Sequence, residues 1–260
     1  MIELYDNNMS TCAQKVRLVL FEKGLEFTRH HLDLRAGDQF QPDYLKLNPK
    51  AVVPTLVHDG QAIIESTVII SYLDDAFPER SLSPATAGQR AKMLQWMILP
   101  DAGLHEACGL TSFALAFRLQ LARLEPEALA AHIAKMPDEK RRKHLRALVE
   151  KGLDAPGVPA ALRSYYQAVQ DMEKNLAETK WLAGGTFSLA DITLLPYVLR
   201  LEHLGLQWFW ADCTRVSDWL ARCKARESYQ AITDHLDPKY LAIMGREAIE
   251  RREEISQLLA

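Results

Sequence analysis

Along the first eighty residues the apolar positions change period several times. Residues 2–5 read as a short strand. Val16, Val19, Leu20 and Lys23 then recur at helical spacing, and Gly24 supplies a stop. Residues 27–34 read as a second strand, and Asn48-Pro49 marks a turn. Thr55-Leu56-Val57 and Ala62-Ile63-Ile64 flank Asp59-Gly60, a strong hairpin signal. Residues 65–76 are helical and end before Pro78. Two strands enclosing a helix predict a parallel pair joined by a right-handed crossover.

After Phe77 the pattern changes. Pro78, Ser81, Ser83 and Pro84 sit in a polar linker, and from about Gly88 no strand is predicted. Residues 90–117 form a long helical pattern with Pro100 as its kink or break. Residues 127–150 are helical and highly charged, and the run Lys140-Arg141-Arg142-Lys143 reads as a solvated face. Leu162, Tyr165, Val169, Met172 and Leu176 form an apolar stripe expected to lie in a core. Ser188-Leu189-Ala190-Asp191 fits a capping box, which gives Ser188 and Asp191 a folding role rather than a catalytic one. Residues 216–223 and 238–259 give two further helices, the last one charged.

Composition narrows the class. The chain has 260 residues, 48% hydrophobic and 25% charged, with a net charge of −3. That is an ordinary globular mixture, large enough for a core without disulfide staples, and it lacks a broadly basic nucleic-acid footprint. No apolar run approaches the ~20 residues of a membrane span. The first residues carry neither the basic nor the apolar region of a signal peptide. Cys12, Cys108, Cys213 and Cys223 lack metal-ligand spacing. The expectation is a reduced cytoplasmic protein with no metal, nucleic-acid or membrane partner.

Candidate chemistry gathers in three loops. Ser10-Thr11-Cys12 lies between the first strand and first helix, where a parallel β-α unit presents its loop to a ligand and free amides favour anions. Thr11 with Gln14 makes a T-x-x-Q capping box, leaving Ser10 outside the helix to donate to a bound anion. Cys12 near a helix start is a candidate for a lowered pKa. His30, His31, His58 and His105 show no spacing that pairs one with a nucleophile. In Val52-Val53-Pro54-Thr55-Leu56, Pro54 starts or edges a strand, and Val53 can offer its amide and carbonyl to a peptide-like ligand. Ser66 is a cap candidate able to hold a carboxylate, and Glu65 can receive an ammonium, which together suits a zwitterion.

Taken in order, these motifs resemble the cytosolic glutathione S-transferase superfamily. The likeness rests on Ser10-Thr11-Cys12 followed by Lys15-Val16-Arg17-Leu18, on Leu47-Asn48-Pro49 leading to Val53-Pro54-Thr55-Leu56, on Glu65-Ser66, and on Ser188-Leu189-Ala190-Asp191-Ile192. It runs over essentially the whole chain. It implies an α/β thioredoxin-like N-terminal domain at 1–80 that binds glutathione, and an all-α C-terminal domain at 88–260 that binds the acceptor. It implies a cis bond at Pro54, Val53 pairing with the cysteinyl backbone, and Glu65 and Ser66 holding the γ-glutamyl end. Gln39 matches a residue contacting the tripeptide's other end, with Lys50 as a neighbour there. Ser10 matches the activating hydroxyl of serine-type classes, with Thr11 and Cys12 as alternatives.

The zeta class has a similar Ser-Ser-Cys run, from which this chain departs at Thr11 and Gln14. Cysteine-type classes place Cys-Pro here, whereas Cys12 precedes Ala13. The 118–160 insertion resembles bacterial β-etherase-type enzymes, which cleave lignin-derived aryl ethers with glutathione. The implied activity is that of a detoxification-type transferase, in which a glutathione thiolate attacks a small hydrophobic electrophile or aryl ether. The implied assembly is a homodimer. The remaining alternatives are a non-catalytic glutathione-binding protein, a zeta-like isomerase and a Cys12-based thiol reductase.

Overall fold

The computed structural model describes residues 1–136, 138–236 and 238–259. The chain divides into two compact units: Met1–Ile98 with Asn175–Tyr197 and Asp218–Leu236, and Leu99–Lys174 with Val198–Ser217 and Asp237–Ala260.

The first unit is built on strands β1 (Ile2–Asp6), β2 (Thr28–His31), β3 (Thr55–His58) and β4 (Gln61–Ile64), in the order β2-β1-β3-β4. β1 and β2 are parallel, with Leu4 opposite Arg29, and β3 runs antiparallel to both β1 and β4. The parallel pair is joined by helix α1 (Thr11–Lys23), as the crossover argument requires. Gly24 ends α1 in the left-handed conformation with φ 66°, and its amide bonds the Leu20 and Phe21 carbonyls. Asp59 (φ 49°) and Gly60 (φ 81°) both take positive φ, the requirement of a tight hairpin. β2 is shorter than its predicted 27–34 span, because Asp33 turns the chain by accepting from the Arg35 and Ala36 amides.

Helix α2 (Pro42–Leu47) precedes β3, and α3 (Ser66–Ala76) packs against α1. Buried Lys23 bonds Asp74 at 2.8 Å and the Arg80 carbonyl at 2.8 Å, while Asp74 also accepts the Leu82 amide. These bonds fix the end of α3 to the linker. Helix α4 (Ala87–Met97) is capped by Thr86.

Later segments complete this unit. Leu189 N–H bonds Leu82 O at 3.1 Å, Asn8 bonds the His235 carbonyl, and Arg226 forks onto Glu22 through two 2.7 Å bonds. Asp191 is fully buried. It accepts from the Leu182 and Ser188 amides at 3.0 Å, the Ser188 hydroxyl at 3.1 Å and Trp219 Nε1 at 2.8 Å. The expected capping box is half present: the carboxylate reaches back, while the Ser188 hydroxyl donates to it rather than capping an amide.

The chain enters the second unit through a π-helical turn, Pro100–Leu104, in which Gly103 has φ 135°. The helical break expected at Pro100 is therefore completed at Gly103. Helix α5 (His105–Ser112), a second π-helical turn at Phe113–Phe117 and α6 (Arg118–Leu121) follow. The single helix predicted over 127–150 is two, α7 (Pro126–Ala134) and α8 (Glu139–Lys151), since Asp138 caps α8 by accepting the Arg141 amide. Ile133, Leu145 and Val149 make their shared core with Phe113, Leu121, Leu129 and Met136. The predicted stripe Leu162, Tyr165, Val169, Met172 and Leu176 is buried along α9 (Val158–Leu176).

Helices α10 (Leu189–His203), α11 (Thr214–Lys224) and the short α12 (Gln230–Thr233) come next. The helix predicted over 238–259 is three pieces: α13 (Pro238–Met244), α14 (Arg246–Glu250) and α15 (Arg252–Leu259). Gly245 separates the first two where its backbone passes against Gly205; a Cβ on Gly205 would meet the Gly245 carbonyl at 2.6 Å. After α4, the strand-like pairing among the described residues is an isolated bridge of Trp181 with Gly184.

Candidate functional site

The loop entering α1 is held from beneath. Gln14 Nε2 donates to the Asn8 carbonyl at 3.0 Å, and Arg17 donates to it as well. Arg17 also pairs with fully buried Asp6 at 2.6 Å, and Arg29 bonds Asp6 at 2.9 Å. Burial lowers the Arg17 pKa, against the opposing pull of Asp6. Ser10 takes extended backbone angles and is the N-cap: its Oγ accepts the Ala13 amide at 3.2 Å. Thr11 is the first helical residue and is buried, which corrects the Thr11 capping box. Gln14 serves Asn8 instead of closing such a box. Because capping uses an oxygen lone pair, the Ser10 O–H proton stays available to donate. Half-buried Cys12 has its Sγ 3.8 Å from the Tyr197 hydroxyl.

The second loop precedes β3. The Val53–Pro54 peptide is cis. Tyr44 Oη donates to the Val52 carbonyl at 2.5 Å, and Asn48 Nδ2 donates to that carbonyl at 2.9 Å and to Thr55 Oγ1 at 3.1 Å. Burial raises the Tyr44 phenol pKa. Among the described residues Val53 makes no hydrogen bond through its own amide or carbonyl, although its neighbour Val52 is clamped. Pro54 is buried beside it.

The third loop enters α3. Glu65, not Ser66, occupies the cap position, with φ 68° and ψ 111°. Ser66 is the first helical residue and is buried. The Glu65 carboxylate accepts from Lys50 Nζ at 2.6 Å, so the structure joins two predicted ligand residues. Thr67 Oγ1 lies 3.5 Å from Lys15 Nζ.

Gln39 stands apart. It is buried in a 3-10 turn, Asp38–Phe40, where its Nε2 donates to the Leu34 carbonyl at 3.1 Å. Among the described residues no hydrogen bond or ion pair joins Gln39 to Lys50, Val53 or Glu65. Its buried Oε1 has no partner there. Sequence reasoning missed Tyr44, which holds the Val53 loop, and Lys15, which is wholly buried beneath the start of α3. The T-x-x-Q motif drew attention to Gln14, and nothing local marks Lys15 as buried. No group of three metal-ligating side chains occurs among the described residues.

The arrangement offers an unpaired peptide edge, a carboxylate–ammonium pair and a hydroxyl at a helix start. The glutathione S-transferase N-terminal domain profile matches residues 9–76, and the C-terminal domain profile matches 126–222. Protein LigF of Sphingobium sp. is 30% identical over 235 residues, covering 86% of this chain and 90% of LigF. Glutathione S-transferase 1 of Dianthus caryophyllus is 43% identical over 224 residues, covering 86% and 96%. The crystal structure of beta-etherase LigF superposes with a TM-score of 0.82 at 27% identity, covering 90% of this chain and 99% of that one. The chain therefore belongs to the glutathione S-transferase family, and its co-substrate is glutathione.

Proposed function

We propose that Ser10 donates its O–H to the glutathione sulfur and that the thiolate attacks a small hydrophobic acceptor, of which an aryl ether is the favoured class. The observation that carries the binding half is the open amide and carbonyl of Val53 beside the Lys50–Glu65 pair. An extended peptide can add to that edge, and a zwitterion can exchange with that pair. A free thiol titrates near 8.5, so about a few per cent is thiolate at neutral pH. A donated hydrogen bond and the α1 amino terminus both favour the anion. In ether cleavage the sulfur forms a C–S bond as the C–O bond breaks, and the released phenol gains the proton the thiol lost. The likeness to the beta-etherase LigF supports this acceptor class.

On this reading residues 1–80 bind glutathione and residues 88–260 bind the acceptor, in a cytoplasmic protein. The protein is read as a homodimer, supported by apolar side chains left exposed at Val68 on α3, Leu94 on α4 and Ile98 just after it. Turnover of aryl ethers and electrophiles, measured beside glutathione affinity, tests the reading. Ether cleavage that falls in Ser10→Ala supports it. Binding without turnover of any compound leaves a carrier protein instead. Loss of activity in Cys12→Ala but not Ser10→Ala moves the chemistry to the Cys12 thiol.

A further inference from the structure

We propose that Asn8 is a positioning residue for Ser10: it lies inside the turn that delivers Ser10, and three separate parts of the first compact unit grip that turn through it. This role rests on the glutathione reading above and deepens it, by naming the residue that aims the activating hydroxyl.

The Ser10 amide donates to the Asn7 carbonyl at 3.2 Å, closing a four-residue turn with Asn8 and Met9 at its centre. Asn7 Oδ1 accepts the Met9 amide at 2.9 Å, and Asn7 Nδ2 donates to the Leu32 carbonyl at 2.9 Å. Asn side chains in turns commonly bond their own backbone two residues on. Asn7 supplies that bond here, so the Asn8 side chain reaches other elements instead. Ser10 is the last residue of the same hydrogen-bonded turn, so a shift of Asn8 passes to it through covalent geometry.

Asn8 is half-buried and bonds through both backbone and side chain. Its carbonyl accepts Gln14 Nε2 at 3.0 Å and Arg17 Nη2 at 3.3 Å, both from α1. Its Oδ1 accepts Arg29 Nη2 from β2. Its Nδ2 donates to the His235 carbonyl at 3.0 Å, in the segment after α12. The two side-chain bonds therefore tie the turn to β2 and to a stretch 227 residues away in sequence. A hydroxyl stabilises an anion only along its O–H direction, since hydrogen bonds weaken steeply below about 120°. The capping bond from the Ala13 amide fixes Ser10 Oγ on one side, and the turn held by Asn8 fixes it on the other.

The charged groups around Asn8 are Arg17 and Arg29, both paired with Asp6, and His31, 3.9 Å from Asp6. All of them remain in Asn8→Ala, which alters no charge. A moved thiol titration in that variant therefore reports the aim of the hydroxyl.

The test is a double-mutant cycle on the thiol titration of bound glutathione, followed by thiolate ultraviolet absorbance against pH. Ser10→Ala should raise the midpoint by about one to two pH units, the worth of a hydrogen bond to a charged group. Asn8→Ala should raise it by about half to one unit, with glutathione affinity in calorimetry within about threefold, because a misaimed bond keeps part of its strength. In Ser10→Ala the further change Asn8→Ala should add nothing, since a residue acting through Ser10 then has nothing to aim. Should Asn8→Ala fail to fold, Asn8→Ser is equally uncharged and too short to keep both side-chain bonds. An unmoved midpoint in a folded, glutathione-binding Asn8 variant, or a shift that adds in full to that of Ser10→Ala, overturns the role of Asn8 alone. An unmoved midpoint in Ser10→Ala overturns the reading of Ser10 and this inference with it. Absence of glutathione binding by the unaltered protein overturns the glutathione site as well.

Discussion

Replacing Glu65 by Ala isolates one carboxylate of the proposed glutathione site. A charge-assisted hydrogen bond from the peptide's ammonium is worth about 1.5–3 kcal/mol. The full amount does not appear as affinity, because the free protein already pairs Glu65 with Lys50 at 2.6 Å. Both side chains of that pair are more than half exposed, at 52% and 62%, so the pair contributes only ~0–1 kcal/mol. Subtracting leaves a loss of about 0.5–3 kcal/mol, with a midpoint of about 1.75, or about twentyfold in Kd. Alanine keeps the Cβ, so the φ of 68° costs the same in both proteins and backbone strain drops out. Titration calorimetry of glutathione into both proteins at low and moderate salt measures the difference. An affinity within twofold of the parent would remove Glu65 from the site.

Four further outcomes are expected. Ser10→Ala should lower turnover while leaving glutathione affinity within severalfold, and loss of the cap on Ala13 should cost about 1 kcal/mol in denaturant unfolding; unchanged turnover and thiol titration would exclude Ser10. Asp191→Ala orphans three buried donor residues, Leu182, Ser188 and Trp219, and should cost about 3–5 kcal/mol, so a melt within 2 °C of the parent would refute its folding role. Burial alone would raise the Asp74 pKa, but hydrogen bonds from Lys23 and the Leu82 amide hold it below the ordinary value; its stabilisation is therefore present above that value and lost as pH falls, and Asp74→Asn should flatten the acid limb of the stability curve. Burial raises Asp191, so its contribution has the opposite sign and grows as pH falls from its raised pKa. Sedimentation velocity should show a dimer, and Leu94→Glu should yield a monomer if exposed α4 forms the partner face.

The sheet unit was legible because its signals are local. Asp59-Gly60 announces its hairpin through the φ values it tolerates, and Gly24 announces the end of α1. Ser10 and Thr11 were harder to separate, since both are capping residues and the competing motif depended on Gln14. Three-dimensional packing turned Gln14 toward Asn8 and gave the cap to Ser10. The clamp on Val52, beside the open Val53, needs Tyr44, Asn48 and Thr55 to converge from separate elements, and no periodicity announces that. The division between α7 and α8 was announced by Pro137 followed by the cap residue Asp138, a boundary signal that the helical reading of 127–150 ran across. Lys15 reads as an ordinary surface position until α3 and α10 are packed around it.

The threading of the first compact unit has a consequence for synthesis on the ribosome. Its opening segment ends at Ile98, but its closing segment ends at Leu236. At ~5–20 residues per second, the intervening 138 residues (236 − 98) take roughly 7–28 s to emerge. For most of that interval the nascent chain has α1 without Tyr197 behind Cys12, and for longer still without Arg226 and Ser228 on Glu22. A fragment stopped after α4 carries every residue proposed to touch glutathione, yet lacks the packing that seats their loop. Chaperone dependence should therefore be greatest for nascent chains between those two lengths, and a free-standing glutathione-binding half is a poor target for expression.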